Sequence, residues 1–206
     1  MFASEKFCQK IEELTEKAEA VSQVEIVVVI AKRSNAYKDV DMHWALIFTF
    51  AVLAIMIYSP WKFNPSTMLL DLGLAAALGW YLSHKFPGFQ RLLTSESRRR
   101  DETEQKSVQV FTEENVSATK DRTGVLIYFS LYERRAAIVT DLGVDAKIPK
   151  AEWNALSHKI NSTKSLAKQE EALFGAMEAL QEMLPQYIPA EEENPNEIPN
   201  APRFRD

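Results

Sequence analysis

The 206-residue sequence contains only one cysteine and six glycines, and it has no excess of basic residues. Its single cysteine, Cys8, excludes an internal disulfide framework and any metal site built from several cysteines. With 24 Lys and Arg against 29 Asp and Glu, the formal net charge is -5. This balance argues against a nucleic-acid partner, because such proteins need positive charge to oppose phosphate. A chain of this length is expected to form one ordinary domain.

Two long apolar runs stand out against this composition. Residues 42–59 contain no charged side chain unless His43 is protonated, and residues 66–83 carry one formal charge, Asp71. As a helix, each run would be about 27 Å long at ~1.5 Å per residue, against a hydrocarbon core of roughly 30 Å. Neither run has a polar stripe at helical spacing. We therefore predict a transmembrane hairpin over 42–83, with two buried helices of a soluble core as the alternative.

Basic residues flank the predicted hairpin, whereas its turn at 60–65 contains only Lys62. The positive-inside rule then predicts an inner-membrane protein with two spans and with both chain ends in the cytoplasm. The basic residues after the second span are also expected to contact lipid headgroups, since each gains about 1 kcal/mol near anionic lipid. They are Lys85, Arg91, Arg98, Arg99 and Arg100.

The remaining sequence predicts a discontinuous α/β domain formed by residues 1–40 and 93–184. An apolar stripe from Phe7 to Val21 predicts a first helix, and the β-branched run 24–30 predicts a strand buried on both faces. Residues 125–131 and 135–140 predict a β-hairpin, and helical patterns follow Pro149. Residues 185–206 are rich in proline and acidic residues, which predicts a disordered tail.

Two segments of this domain resemble the TPM domain family. Residues 22–29 read SQVEIVVV, similar to a family strand motif, and residues 123–144 resemble the family's hairpin with its acidic-Arg-basic turn. The resemblance implies a three-layer α/β/α fold, here with a transmembrane helical hairpin inserted. Family members include a thylakoid lumen acid phosphatase, a photosystem-repair protein and an accessory subunit of an acetylcholine-gated channel.

Three aspartates are candidate metal ligands at one end of the predicted β-hairpin. If the turn centres on Glu133, residue 141 lies opposite 125 and residue 145 lies opposite 121, which gathers Asp121, Asp141 and Asp145. Carboxylates suit Ca²⁺ or Mg²⁺, and the family resemblance adds that some members bind calcium. The alternative is that these aspartates only form turns at the strand ends. No nucleophile or phosphate-loop motif is present, so the catalytic residues of any enzyme remain unknown.

Polar residues within the predicted hairpin provide further candidates. His43 and His84 open the first span and close the second, where they could bind a metal, titrate near neutral pH or only anchor the helices at the interface. Asp71 lies about one turn inside the second span, and an intramembrane carboxylate indicates either a functional site or contact with interfacial water.

Small residues mark one further feature of the second span. The spacings of Gly73 with Ala77 and of Ala75 with Gly79 allow close helix packing. The neighbour would be the first span, another membrane protein or a second copy.

The sequence favours a membrane-anchored, TPM-like domain that acts as a binding or accessory protein for a membrane partner. A divalent-metal phosphatase that uses Asp121, Asp141 and Asp145 is the alternative. Transport through an oligomer lined by Asp71 is a third hypothesis, which two short spans support poorly. The expected partners are membrane lipid and either another membrane protein or a second copy of the chain.

Overall fold

The computed structural model describes residues 4–163, 165–191 and 196–206. The chain divides into two compact units. The sheet unit comprises Met1–Ser34 and Arg100–Asp206, and the hairpin unit comprises Asn35–Arg99. The sheet unit is therefore built from two stretches of sequence that the hairpin unit separates.

A four-stranded mixed sheet forms the centre of the sheet unit. Its strands are β1 (Glu25–Ala31), β2 (Gly124–Ser130), β3 (Arg135–Thr140) and β4 (Arg203–Arg205), in the order β3-β2-β1-β4. β1 runs parallel to β2 and to β4, whereas β3 runs antiparallel to β2. Every residue of β1 and β2 is buried, as the β-branched run predicted for β1.

Helices cover both faces of this sheet. Apolar residues of α1 (Glu5–Glu19), α7 (Lys150–Asn161) and α8 (Leu166–Tyr187) form one core, and residues of α5 (Glu96–Glu113) contribute to the other. A 3₁₀ turn (Val116–Ala118) and the short helix α6 (Leu142–Asp145) complete the unit. The mixed α/β architecture predicted from the sequence is confirmed, with layers in the order helix, sheet, helix.

The apolar stripe of α1 explains how this helix packs. Phe7, Ile11, Leu14 and Ala18 are all buried, because offsets of four and three residues place them on one helix face. The Ser4 side chain accepts a hydrogen bond from Phe7 N–H and caps the helix start. Val21, which the stripe pattern included, lies beyond the helix end and is 39% exposed.

The disordered tail expected over 185–206 falls partly on residues 192–195, which lie outside the described residues, and the described parts of this segment contain regular structure. α8 continues through Pro185 to Tyr187, and residues 203–205 form β4 beside β1. Ile198 is buried in the α5-side core, and its N–H donates to Glu25 Oε2 at 3.1 Å. Arg205 forms ion pairs with Glu113 and Glu114 of α5. These distant partners hold residues 198–205 against the sheet unit, although the composition of this part of the chain alone indicates disorder.

The hairpin unit contains two long helices and one short helix. α2 (Lys38–Tyr58) and α3 (Pro65–Lys85) pack against each other, and α4 (Pro87–Leu93) follows directly. The Asn64 side chain accepts from Ser66 N–H at 3.0 Å and caps α3 before its first-turn proline. Within the described residues, α2 is the one helix whose length and apolar composition are sufficient to cross a membrane. α3 does not meet the same requirement of length and composition.

Candidate functional site

Two loops meet at the end of β2 and β3 where the three candidate aspartates lie. Gly143 N–H donates to Arg122 O at 2.9 Å, and Arg122 adopts a left-handed conformation with φ of 56°. A Cβ added to Gly143 would lie 2.2 Å from Asp121 O, so this contact requires glycine. A left-handed arginine costs backbone energy, which the surrounding contacts must offset.

Asp141 organises these loops. Its side chain is 3% exposed and accepts two hydrogen bonds from the Arg122 guanidinium, at 2.7 and 2.8 Å. It also accepts from Leu142 N–H at 2.7 Å and thereby caps α6. Burial alone would raise the pKa of Asp141, but the bonds from Arg122 and Leu142 outweigh it and hold the pKa below its ordinary value.

The expected calcium or magnesium ligands do not form a metal-binding group. Thr140, not residue 141, pairs with Val125, so the register differs by one residue from the prediction. The carboxylate of Asp141 is occupied by Arg122, Asp145 accepts from the Thr140 hydroxyl, and Asp121 is exposed. No group of three or more His, Cys, Asp or Glu that could hold a metal occurs in the described part of the chain. As placed, this donor set does not fit a divalent cation.

The two histidines of the hairpin unit contact different partners. His43 Nδ1 donates to the Asp39 carbonyl at 2.6 Å, one turn earlier on α2. The His84 ring stacks on Trp80 with centroids 5.3 Å apart, and its Nδ1 lies 3.5 Å from Asp41 Oδ2. The third candidate of this unit, Asp71, is partly buried and accepts a 3.4 Å hydrogen bond from Thr67 on its own helix.

The basic residues that were predicted to contact lipid headgroups have different protein contacts within their own units. Arg98 makes two hydrogen bonds to the Asp39 carboxylate, at 2.7 and 2.9 Å, and its guanidinium lies over the Tyr37 ring. Arg99 donates to Thr94 O, whereas Arg100 lies near Asp101 and Glu104. Lys85 is exposed and Arg91 is half-buried.

Small residues of α3 allow close contact with α2, which is one of the three neighbours that the sequence left open. Ala75 and Gly79 are buried, and a Cβ on Gly79 would come within 2.5 Å of Trp44 O and 2.9 Å of Phe48 Cβ. Gly73 lies on the open side, with nothing within 4 Å of an added Cβ. The Ala75–Gly79 spacing therefore serves the α2–α3 contact.

A buried polar cluster in the hairpin unit was not predicted. The Asp41 carboxylate is 2% exposed and accepts from Ser83 Oγ at 2.6 Å and from Gln90 Nε2 at 2.8 Å. Asp41 precedes the apolar run by one residue, and this position is the one feature of the sequence that could have indicated a polar site there. Its two donors lie more than 40 residues away, and no spacing rule connects them.

A second buried carboxylate, Glu133, was recognised only as part of the turn motif. It is 4% exposed, and both of its oxygens accept from Ser34 N–H, at 3.1 and 3.2 Å. Ser130 also donates to it, and the Ser34 hydroxyl contacts Tyr128 OH at 3.2 Å. Glu133 thus joins the β2–β3 turn to the segment that follows β1.

Comparisons with known proteins agree with this architecture. Residues 90–183 match the model of the TPM domain. The chain is also similar to the NMR structure of the BA42 protein from the psychrophilic bacterium Bizionia argentinensis, with a TM-score of 0.60 and 15% identity over 99% of this chain and 96% of that chain. No curated protein matches the sequence. Residues 90–183 are therefore similar to the TPM domain, and the fold of the whole chain is similar to that of BA42.

Proposed function

We propose that this protein is an accessory or binding protein, in which α2 and α3 anchor a TPM-like sheet unit in a membrane beside a protein partner. The anchor would be a two-span hairpin in the inner membrane. The turn at 60–65 would lie outside, and the sheet unit would lie in the cytoplasm, as the flanking basic residues indicate.

The observation that carries this proposal is the exposure of the apolar side chains of the hairpin unit. Only 11% of the apolar window of α2 is buried. A core helix of a soluble protein would bury most of such a window, and exposed apolar patches of this kind indicate a membrane or a protein interface. The exposed residues on the two helices include Leu46, Phe50, Ile57, Leu69, Leu70, Leu74 and Leu78.

The polar contacts of the hairpin unit agree with a membrane position. The Asp41 cluster lies at the basic ends of α2 and α3, whereas Tyr58 and Trp61 are strongly exposed near the opposite end. Aromatic rings prefer the headgroup layer, and charged or polar groups are least costly near water. Both ends of the hairpin therefore carry residues suited to an interface.

The contacts of Asp121, Asp141 and Asp145 favour an accessory function over phosphatase chemistry. A metal-dependent phosphatase would require Arg122 to release Asp141 and the three carboxylates to turn toward one cation. Nothing else in the described site supplies a nucleophile or a phosphate cradle. The sheet unit therefore supports binding better than hydrolysis.

Carbonate extraction followed by affinity capture tests this proposal. We expect the full-length protein to remain with membranes at alkaline pH, because two apolar helices hold it. A variant that lacks residues 42–83 should be released into the soluble fraction. Crosslinking in mild detergent should then capture a defined membrane protein or a second copy of this chain. Release of the full-length protein by carbonate would contradict the anchor, whereas metal-dependent turnover of a simple phosphate ester would favour the alternative.

A further inference from the structure

The outer edge of β3 offers main-chain hydrogen-bonding groups to a ligand. β3 is a terminal strand of the sheet, and Asp141 N–H donates to Gly124 O at 2.9 Å. Hydrogen-bonded pairs alternate along an antiparallel ladder, so residues 139, 137 and 135 bond to β2. The main-chain groups of Ala136, Ile138 and Thr140 point away from the sheet.

One of these outward residues is already bonded as if a further strand were present. Asn161 Oδ1 accepts from Ala136 N–H at 2.8 Å, and Asn161 Nδ2 donates to Ala136 O at 2.9 Å. The Asn161 side-chain amide therefore makes the two hydrogen bonds that the main chain of a neighbouring strand would make to Ala136. No hydrogen bond of the main-chain groups of Ile138 or Thr140 to an outer neighbour is found in the described residues. On the outer edge of β3, the main-chain groups of Ala136 are therefore hydrogen-bonded, whereas those of Ile138 and Thr140 are available to a ligand.

A cleft of about 260 Å³ borders this open edge. It is lined by Arg100 and Glu104 of α5 on one side and by residues of α7 on the other. Trp153 of α7 is 6% exposed, and its buried indole Nε1 has no hydrogen-bond partner among the described residues. Buried donors are rarely left unpaired, and Trp153 lines the cleft, so an acceptor bound there would supply the missing partner of this N–H.

We propose that this cleft binds an extended peptide segment of a protein partner, which adds to the sheet as a strand beside β3. The main-chain groups of Ile138 and Thr140 would pair with the peptide backbone, as in other cases of strand addition. Trp153 Nε1 would donate to a carbonyl of the peptide or to a carboxylate. Arg100 in the lining is already paired with Asp101 and Glu104, so recognition would rest on the main chain of the peptide rather than on side-chain charge.

A second copy of this chain would bring its own α5 and α7 to this edge, beside the α5 and α7 residues that already line the cleft. A free peptide strand, about 5 Å from its neighbour in a sheet, needs only the width of one strand. The inference deepens the proposed function, on which it rests, by naming the surface through which the sheet unit would hold a partner.

Binding of a fluorescein-labelled peptide of sequence TVEVTE to the full-length protein in detergent micelles tests the inference. The control ligand is the same peptide with N-methyl groups on alternate amides, which removes the donors that face β3. We expect saturable binding of TVEVTE and at least tenfold weaker binding of the methylated peptide. Trp153→Phe should weaken binding of TVEVTE at least threefold, whereas the matched variant Trp61→Phe, in the hairpin unit, should not change it.

Amide hydrogen exchange locates the bound peptide without any variant. Bound TVEVTE should slow exchange at Ile138 and Thr140 at least tenfold, whereas Ala137 and Val139 should be protected with or without it, because they bond to β2. Equal binding of both peptides, no binding of TVEVTE at millimolar concentration, or protection elsewhere would overturn the inference. The membrane anchor is tested separately: failure of peptide binding in a protein that resists carbonate extraction overturns the inference alone. Peptide binding by a protein that carbonate releases overturns the anchor alone.

Discussion

Glu19 should make the sheet unit less stable as pH rises. Its carboxyl is 6% exposed and accepts from Ile26 N–H at 2.8 Å, and burial raises its pKa to about 8. The folded state therefore holds a proton that the unfolded state has lost between about pH 4.5 and pH 8. In this window the free energy of unfolding falls with increasing pH, by about 3 kcal/mol between pH 5 and pH 8 at ~1.36 kcal/mol per pKa unit.

The dependence of the unfolding free energy on pH can be measured by urea unfolding of the full-length protein in nonionic detergent. Amide hydrogen exchange at β1 residues provides a second measurement of the stability of the sheet unit. Glu19→Gln keeps the shape and an acceptor without the titration, so we expect this variant to lose most of the pH dependence, with the remainder coming from Glu25, whose pKa burial also raises. Glu16→Gln, an exposed change on the same helix, should retain the wild-type slope. A Glu19→Gln slope equal to that of the wild type would refute the assignment of the titration to Glu19.

Two further predictions follow from close contacts. Gly79→Ala should destabilise the α2–α3 contact by about 1–3 kcal/mol, because the new Cβ meets Trp44 O at 2.5 Å. Gly73→Ala, on the open side of the same helix, should leave thermal unfolding in micelles unchanged or slightly raise the midpoint. Asp141→Asn should cost about 1–3 kcal/mol at pH 7, since Arg122 loses its partner, whereas the exposed Asp121→Asn should not. Because the pKa of Asp141 is lowered in the folded state, this difference should disappear as pH falls below its ordinary value. Equal effects of either pair of variants would contradict these contacts.

The regular elements were predictable because their patterns are local. The stripe of Phe7, Ile11 and Leu14 and the β-branched run of β1 each report one buried surface within a single element. The Ala75–Gly79 spacing likewise predicted a close helix contact. Local periodicity therefore predicted the α/β class, and the two uncharged or nearly uncharged apolar runs predicted the helical hairpin.

The site could not be predicted to the same extent, because its contacts depend on distant partners. A shift of one residue in the β2–β3 register and the bonds from Arg122 decide whether Asp141 caps a helix or faces a cation. Similarly, Ile198 is ordered by Glu25, which lies far from it in sequence. Composition reports neither kind of contact.

Labelling of single cysteines from outside the cell measures the position of the hairpin most directly. In a Cys8→Ala background, Lys62→Cys in the turn and Lys120→Cys in the sheet unit are both exposed to solvent in the structure. A membrane-impermeant maleimide should label the protein at position 62 in intact cells and at position 120 only after the cells are opened. Labelling of position 120 in intact cells, or of neither position until the membrane is broken, would contradict a hairpin that spans the membrane with the sheet unit inside.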